Sequence, residues 1–273
     1  MHKICSICNM RHEQVRAKKY LGQHFLNDEQ IASDIVDGLM SKCDVNLVLE
    51  IGPGMGVLTK YLLQKPITLY AIDIDAESIE YLKKHYADLS PRLIQGDFLQ
   101  IKPTELFNEE FALIGNFPYN ISTQIVFKVI EYREQIPIMT GMFQKEVAER
   151  ICSGPGGKEY GILSVLAQTY YDLEYLFTVP EHVFIPPPKV KSGVMRMVRK
   201  AEAPDINEKM LFRVVKAAFN QRRKKLRNAI SQFGVDDAIL QPSGFADKRA
   251  EQLSVNDFIA LTNLVIKYGN NNN

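Results

Sequence analysis

The chain has 273 residues and a mass of 31.1 kDa, 46% of them hydrophobic and 24% charged, which excludes a disordered or fibrous polymer and allows one large domain or two ordinary ones. No apolar run approaches the roughly 18 residues of a membrane span, Met1 to Arg16 lack the apolar core of a signal peptide, and the cysteines (Cys5, Cys8, Cys43, Cys152) are too scattered for a secreted disulfide scaffold. A cytoplasmic protein is expected. The net charge of +1 says little as a whole, but from Lys200 onward 12 Lys/Arg face 8 Asp/Glu, leaving the first 199 residues at −3.

Residues 1–28 read as an irregular basic lead-in that ends in Lys18-Lys19-Tyr20-Leu21-Gly22-Gln23-His24-Phe25-Leu26. Asn27 or Asp28 is placed to cap a helix through Lys42, with Ile31, Ile35, Val36 and Leu39 on one face. Strands are then predicted at Leu47 to Ile51, Ile67 to Ile72, Leu93-Ile94, Phe111 to Ile114 and Ile136 to Phe143. Helices fall between them, one running from the glycine turn to Leu63, others over Ala76 to Tyr86 and Ile121 to Tyr132. Such alternation predicts a doubly wound, mostly parallel α/β sheet covered on both faces. After Gly157 the pattern predicts a helix over Ile162 to Tyr170 and an antiparallel edge strand over Val190 to Val198. A linker at 201–205 follows, then helices over Met210 to Ala218, Lys224 to Phe233 and Val255 to Ile266. The expected organisation is a lead-in (1–28), an α/β domain (29–200) and a small helical domain (206–268).

Glu50-Ile51-Gly52-Pro53-Gly54-Met55-Gly56 follows the first strand. Glycines there permit a tight turn and close approach of a ligand, although a glycine turn alone is equally a plain strand-to-helix connection. The third glycine of a dinucleotide fingerprint and a Walker lysine are both missing. The next strand ends at Asp73, with Asp75 two residues on; an acid there accepts from both hydroxyls of a ribose. Asp97, in Gly96-Asp97-Phe98, is placed to accept from an adenine amine, with Phe98 beside the ring. Each acid alone could be a helix cap. Together they describe an adenosine site without a pyrophosphate clamp, which suits S-adenosylmethionine better than NAD.

Gly115-Asn116-Phe117-Pro118-Tyr119-Asn120 comes after the fourth strand, where parallel sheets place ligands. The N6 amine of adenine is a poor nucleophile because its lone pair is delocalised into the ring. Asn116 Oδ1 and the Phe117 carbonyl can accept its two hydrogens and favour a pyramidal nitrogen. Tyr119, angled by Pro118, would stack on the base. The competing reading is a simple Asn-Pro turn.

Lys19 to Asp28, Glu50 to Gly56, Asp73, Gly96-Asp97 and Gly115 to Thr123 resemble the rRNA adenine N6,N6-dimethyltransferases, and most closely their bacterial small-subunit branch. Phe184-Ile185-Pro186-Pro187-Pro188-Lys189-Val190-Lys191-Ser192 is similar to that family's proline loop, and Val215 to Asn228 to its C-terminal signature. The resemblance runs from Ala17 to Ile266. It implies a Rossmann-like class I S-adenosylmethionine methyltransferase sheet, with cofactor contacts at His24, Leu26, Gly52, Asp73, Asp97 and Asn116 and with Gln23 and Gly54 as neighbours. It further implies that Phe184 sandwiches the target adenine against Tyr119. The substrate implied is two adjacent adenines in the 3′-terminal hairpin of 16S rRNA in the small subunit, and the enzyme implied is a monomer with no metal. Position 24 is often Asn in this family and 117 often Leu, where this chain has His24 and Phe117.

Arg222, Arg223, Lys224, Lys225 and Arg227 form a basic run. On a helix they would wrap around it and exceed the nearby acids, so phosphate contact is expected; Arg16, Lys18 and Lys19 are a second basic candidate. Cys5 and Cys8 imitate half a zinc ribbon, with His2 and His12 as poor complements and no second pair. Met10 is an alternative start. The rival readings are a 23S rRNA adenine methylase of the macrolide-resistance type, which would share the catalytic core, and a non-catalytic RNA-binding assembly factor on the same fold.

Overall fold

The structure, a computed structural model, describes residues 15–270; Cys5, Cys8, His2, His12 and Met10 lie outside the described residues. In chain order the elements are β1 (Phe25–Leu26), α1 (Glu29–Met40), β2 (Leu47–Ile51), α2 (Thr59–Leu62), β3 (Thr68–Asp73), α3 (Ala76–His85), β4 (Leu93–Gln95), α4 (Pro103–Leu106), β5 (Ala112–Asn116), α5 (Ser122–Glu131) and β6 (Ile138–Gln144). They continue with α6 (Lys145–Cys152), α7 (Ile162–Tyr170), β7 (Tyr171–Val179), β8 (Phe184–Ile185), β9 (Ser192–Arg199), α8 (Glu208–Asn220), α9 (Leu226–Ala229), α10 (Asp237–Leu240) and α11 (Val255–Tyr268).

Seven strands form one sheet in the order β4-β3-β2-β5-β6-β9-β7. The pairs β2·β3, β3·β4, β2·β5 and β5·β6 are parallel, in registers that include Ile51↔Ile72, Asp73↔Gln95 and Asn116↔Met142. All five residues of β2 are buried, as both faces of a helix-covered parallel strand must be. Each of its buried Leu, Val and Ile side chains contributes about 1.5–3 kcal/mol. Strand order reverses between β2 and β5, and the crevice outside the carboxyl ends at such a point is where doubly wound sheets hold ligands. Asp28 caps α1, its Oδ1 accepting the Ile31 N–H at 3.0 Å.

By its internal contacts the chain forms two compact units. One runs to Lys145 and resumes over Leu176–Met197; the other comprises Glu146–Tyr175 and the chain from Val198 onward. The last division, between Met197 and Val198, falls just before the linker expected at 201–205, and Glu146–Tyr175 belongs to the same unit as the chain beyond it. Helix α7 packs on α8 and α11, and the buried Tyr160 ring meets Phe219 at 5.9 Å, which in turn stacks on Phe258 at 5.7 Å. This aromatic core draws 146–175 to the C-terminal helices. Ser254 and Asp257 close a reciprocal cap on α11.

Three expectations change, and one strand was not anticipated. The helix after the glycine turn is only α2, one turn long. The strand expected at an edge over Val190 to Val198 is β9, which lies between β6 and β7 and has its first six residues buried. Strand β7 follows α7 without a turn, at Tyr170-Tyr171, so no breaker marks its start. The helix expected over Lys224 to Phe233 exists only as α9 and a following 3₁₀ turn that ends at Gly234, φ +66°. Arg222 to Lys225 sit in the turn before it.

Candidate active site

The carboxyl ends of β2, β3 and β5 and the loop after β4 meet, within the first unit, at one cleft with about 800 Å³ of empty space including its open mouth. Residues Tyr20 to Phe25 pass along it as a strap. Gly52 (φ +65°) and Gly54 (φ +55°) both need the left-handed region. A Cβ on Gly52 would meet nothing within 4 Å, so space for a ligand opens above it, whereas one on Gly54 would lie 2.8 Å from Phe25 Cε1. One glycine leaves room; the other admits the strap.

Asp73 is 7% exposed. Its Oδ1 accepts the Asp75 N–H at 2.8 Å and its Oδ2 the Gly54 N–H at 3.4 Å. Burial pushes its carboxyl up to about 6 against the pull of these N–H groups. Asp75 turns out to be the cap of α3, accepting the Glu77 N–H at 3.0 Å. Asp97 is half-buried, and its Oδ1 takes the Leu99 N–H at 2.9 Å; Oδ2 has no hydrogen-bond partner among the described residues and is left for a ligand. The loop that carries it is held by Lys128, whose ammonium donates to the carbonyls of Phe98 (2.6 Å), Leu99 (3.0 Å) and Ile101 (2.5 Å).

Phe98 does not reach the cleft. It is 4% exposed and lies beneath Lys128 Nζ, 5.0 Å from the ring centroid. An apolar side chain that the cleft wall does expose beside these acids is Ile74, 53% exposed between Asp73 and Asp75; an apolar residue stranded between two acids was the available signal. Leu26 lines an adjoining cavity with Glu50, Gly52 and Asn116. Glu50 is fully buried, its Oε2 accepts from Thr59 Oγ1 at 2.6 Å, and burial pushes its carboxyl up to about 8.

At the end of β5, Asn116 Nδ2 donates to the His24 carbonyl at 2.9 Å. That bond fixes which end of the amide donates and leaves Oδ1 as the acceptor of a residue that lines the cleft. The Phe117 ring is 1% exposed and lies where Gly115 and Gly141 lack side chains: a Cβ at either would fall 2.7 or 2.1 Å from it. Its N–H donates to the Met142 carbonyl at 3.2 Å. Pro118 and Tyr119 complete the wall. Tyr119 Oη hydrogen-bonds Ser192 Oγ at 2.6 Å, and its ring stacks on His24 at 5.7 Å and 29°. His24 Nδ1 donates to the Pro186 carbonyl at 2.8 Å, which assigns the proton to that nitrogen.

Phe184 is a correction. It is 2% exposed and does not line the cleft. β8 pairs antiparallel with β1, Leu26 opposite Phe184 and Phe25 opposite Ile185, and alternation along the strand puts Leu26 and Phe184 inward while Ile185 stands 58% exposed.

The basic run is also less free than its composition suggests. Arg222 donates to the Gly157 carbonyl at 3.0 Å and pairs with Glu251 at 3.8 Å. Lys225 pairs with Asp247 at 3.0 Å, and Arg227 with Asp247 and with Asp237, 3.4 Å away. Arg223 and Lys224 are exposed with no acidic partner among the described residues. Lys18 is no free RNA contact either: it pairs with Asp75 and Glu77.

A glycine with open space above it, a buried carboxylate, a half-buried one with a spare oxygen and an apolar wall fit the adenosine and methionine parts of S-adenosylmethionine. His24, Gly52, Gly54, Asp73, Asp97 and Asn116 surround this cleft, and Leu26 the cavity joined to it.

Comparison with known proteins agrees. The family model for ribosomal RNA adenine dimethylase matches residues 14–267. The ribosomal RNA small subunit methyltransferase A of Cytophaga hutchinsonii is 59% identical over 256 residues, covering 93% of this chain and 98% of that one. Among solved structures, a dimethyladenosine transferase from Plasmodium falciparum has a TM-score of 0.77 at 25% identity over 90% of this chain and 97% of its own. The 23S rRNA methyltransferase ErmE has a TM-score of 0.69 at 24% identity over 89% and 99% and shares the fold. With its α/β sheet, its site at the strand ends and these likenesses, the chain belongs to the ribosomal RNA adenine dimethylase family.

Proposed function

We propose that the protein transfers methyl groups from S-adenosylmethionine to N6 of two adjacent adenosines in the 3′-terminal hairpin of 16S rRNA during small-subunit biogenesis, acting as a cytoplasmic monomer. The observation that carries this reading is the Asn116 amide, oriented by the His24 carbonyl so that Oδ1 is the acceptor at the cleft. The bound cofactor supplies an electrophilic methyl on a sulfonium. The protein's part is to hold the nucleophile. Asn116 Oδ1 and the Phe117 carbonyl accept the N6 hydrogens and bias the nitrogen toward a pyramidal geometry. Tyr119, held by Ser192 and backed by His24, stacks on an extruded base. Asp73 accepts from the ribose hydroxyls, Asp97 from the cofactor's adenine amine, and Ile74 packs on that ring. Dimethylation of two bases takes four transfers, so the wall must admit a methylated amine. RNA phosphates meet the turn at 222–227, chiefly through Arg223 and Lys224, whose charge is unspent.

The test is tritiated methyl transfer from S-adenosylmethionine to small and large ribosomal subunits from a strain lacking the small-subunit methylase. Dimethyladenosine in small subunits only, lost with Asn116→Ala, is the expected result. Label in 23S rRNA would move the protein to the other substrate, and subunit binding without label would leave an assembly factor.

A further inference from the structure

The strap is fastened at three points. At its far end, β1 pairs with β8, and the Asn27 N–H donates to the Val183 carbonyl at 2.8 Å. In the middle the His24 carbonyl takes the Asn116 amide. The near end is held differently. The Lys18 N–H donates to Gln23 Oε1 at 2.8 Å, and Leu21 N–H to the Lys18 carbonyl at 3.0 Å, closing residues 18–23 into one turn. Both side chains of that closure then reach the same carboxylate: Lys18 Nζ lies 2.5 Å from Asp75 Oδ1, and Gln23 Nε2 lies 3.0 Å from Oδ2. The Asp75 side chain is wholly inaccessible to solvent. Burial works to raise its pKa, yet the bonds from Lys18 and Gln23 prevail and hold the carboxyl below its usual range. Its own N–H is the one that Asp73 Oδ1 accepts.

Asp75 thus joins two things that the sequence keeps apart, the strap that edges the cleft and the acid that faces the ribose. Of the closed turn, Tyr20, Leu21, Gly22 and Gln23 border the cleft, while Lys18 does not line it. We infer that Lys18 is a positioning residue for the cofactor: with Gln23 it clamps Asp75, keeps the 18–23 turn over the cleft, and so sets how long S-adenosylmethionine stays bound. Lys18 then touches neither cofactor nor RNA. This deepens the reading above and rests on it.

The experiment measures S-adenosylmethionine binding by calorimetry and dissociation by stopped flow for the wild-type chain, Lys18→Met and Lys18→Arg, and beside them the salt dependence of small-subunit binding. Lys18→Met leaves the Asp75 cap on α3 in place and is expected to fold. It should release the cofactor about tenfold faster, as losing a charge-assisted hydrogen bond does. Its KM for S-adenosylmethionine should rise with kcat nearly unchanged, and its RNA salt slope should match wild type; Lys18→Arg should restore retention. Unchanged cofactor dissociation in Lys18→Met with a shallower salt slope would overturn the inference and make Lys18 a phosphate contact. A wild-type chain that binds no S-adenosylmethionine at all would instead sink the methyltransferase reading. Should Lys18→Met be unfolded by circular dichroism, Glu77→Gln with Lys18 intact becomes the control. Glu77 is the exposed second partner at 3.0 Å, and it should leave retention near wild type if Asp75 is the seat of the clamp, whereas a loss equal to that expected for Lys18→Met would overturn it.

Discussion

The cleft and the turn at 222–227 both gather charge, and they treat it in opposite ways. The carboxyl groups of Asp73 in the cleft and of Glu50 in the cavity joined to it are buried, so their protonation is set by the fold. At the turn the charges stand in solvent, and acids from elsewhere in the second unit meet three of the five; Lys225, Arg227 and Gln241 together hold the Asp247 carboxyl down to about 2. Burying a charge is costly, so buried acids persist where geometry uses them. Exposed charge is cheap and easily neutralised. Counting it overstates what is available to a partner.

The sharpest break of this comparison is Asn116→Ala, expected to lower single-turnover methyl transfer by about 10²–10³-fold, the scale of losing one placed acceptor or donor, while cofactor affinity by calorimetry falls far less. If both fall together, Asn116 is a binding residue and the cleft has no dedicated catalytic group. Next come Asp97→Ala and Asp73→Ala, each expected to weaken S-adenosylmethionine by about 10- to 100-fold through a lost charged acceptor. Asp73 adds a pH signature. Since the ligand-accepting form is the carboxylate and its pKa lies at about 6, affinity should be full above that pH and decline as pH falls through it. Titrating Asp73→Asn should give a flat profile.

Glu50 tests the buried side by stability. Its folded pKa of about 8 lies above the ordinary 4.5, so the folded state keeps a proton that the unfolded chain releases. Stability should therefore fall as pH rises from 4.5 to 8, by an order of a few kcal/mol. Glu50→Gln should remove most of that slope in denaturant titrations at several pH values. The smallest effects are at the turn. Arg223→Ala and Lys224→Ala should each reduce the slope of log affinity against log salt for small-subunit RNA by about 0.7–0.9. Lys225→Ala, already paired with Asp247, should change it by much less. Equal slopes for all three would erase the distinction between spent and unspent charge.

What could be read beforehand follows the same division. The parallel strands, Asp73, Asp97 and Asn116 announce themselves because spacing along the chain equals position at the strand ends. Phe184 and Phe98 misled because an aromatic side chain suits a core as well as a base, and only the β1–β8 pairing and Lys128 decide which. The pairing of Arg227 with Asp247, or of Lys18 with Asp75, joins residues 20 and 57 apart in sequence. No local pattern reports such partners. Strand β7 was missed for another reason, since a helix passes into it with no glycine or proline between.

The hollow beneath Phe117 has a consequence for how such an enzyme drifts. The two acceptors at 116 and 117 stand at a height above the sheet set by a hydrocarbon contact, the Phe117 ring resting where Gly115 and Gly141 carry no Cβ. One carbon added at 141, on the neighbouring strand, would push against that ring and lift the loop without altering a polar group. The Phe117 ring is thus accommodated by emptiness in two strands, so substitutions at 117 and 141 should succeed or fail as a pair, whereas a Cβ at 115 would also lie 2.5 Å from the Ile51 carbonyl oxygen, which no change at 117 relieves. The position of the loop that carries the proposed acceptors is adjustable by volume alone.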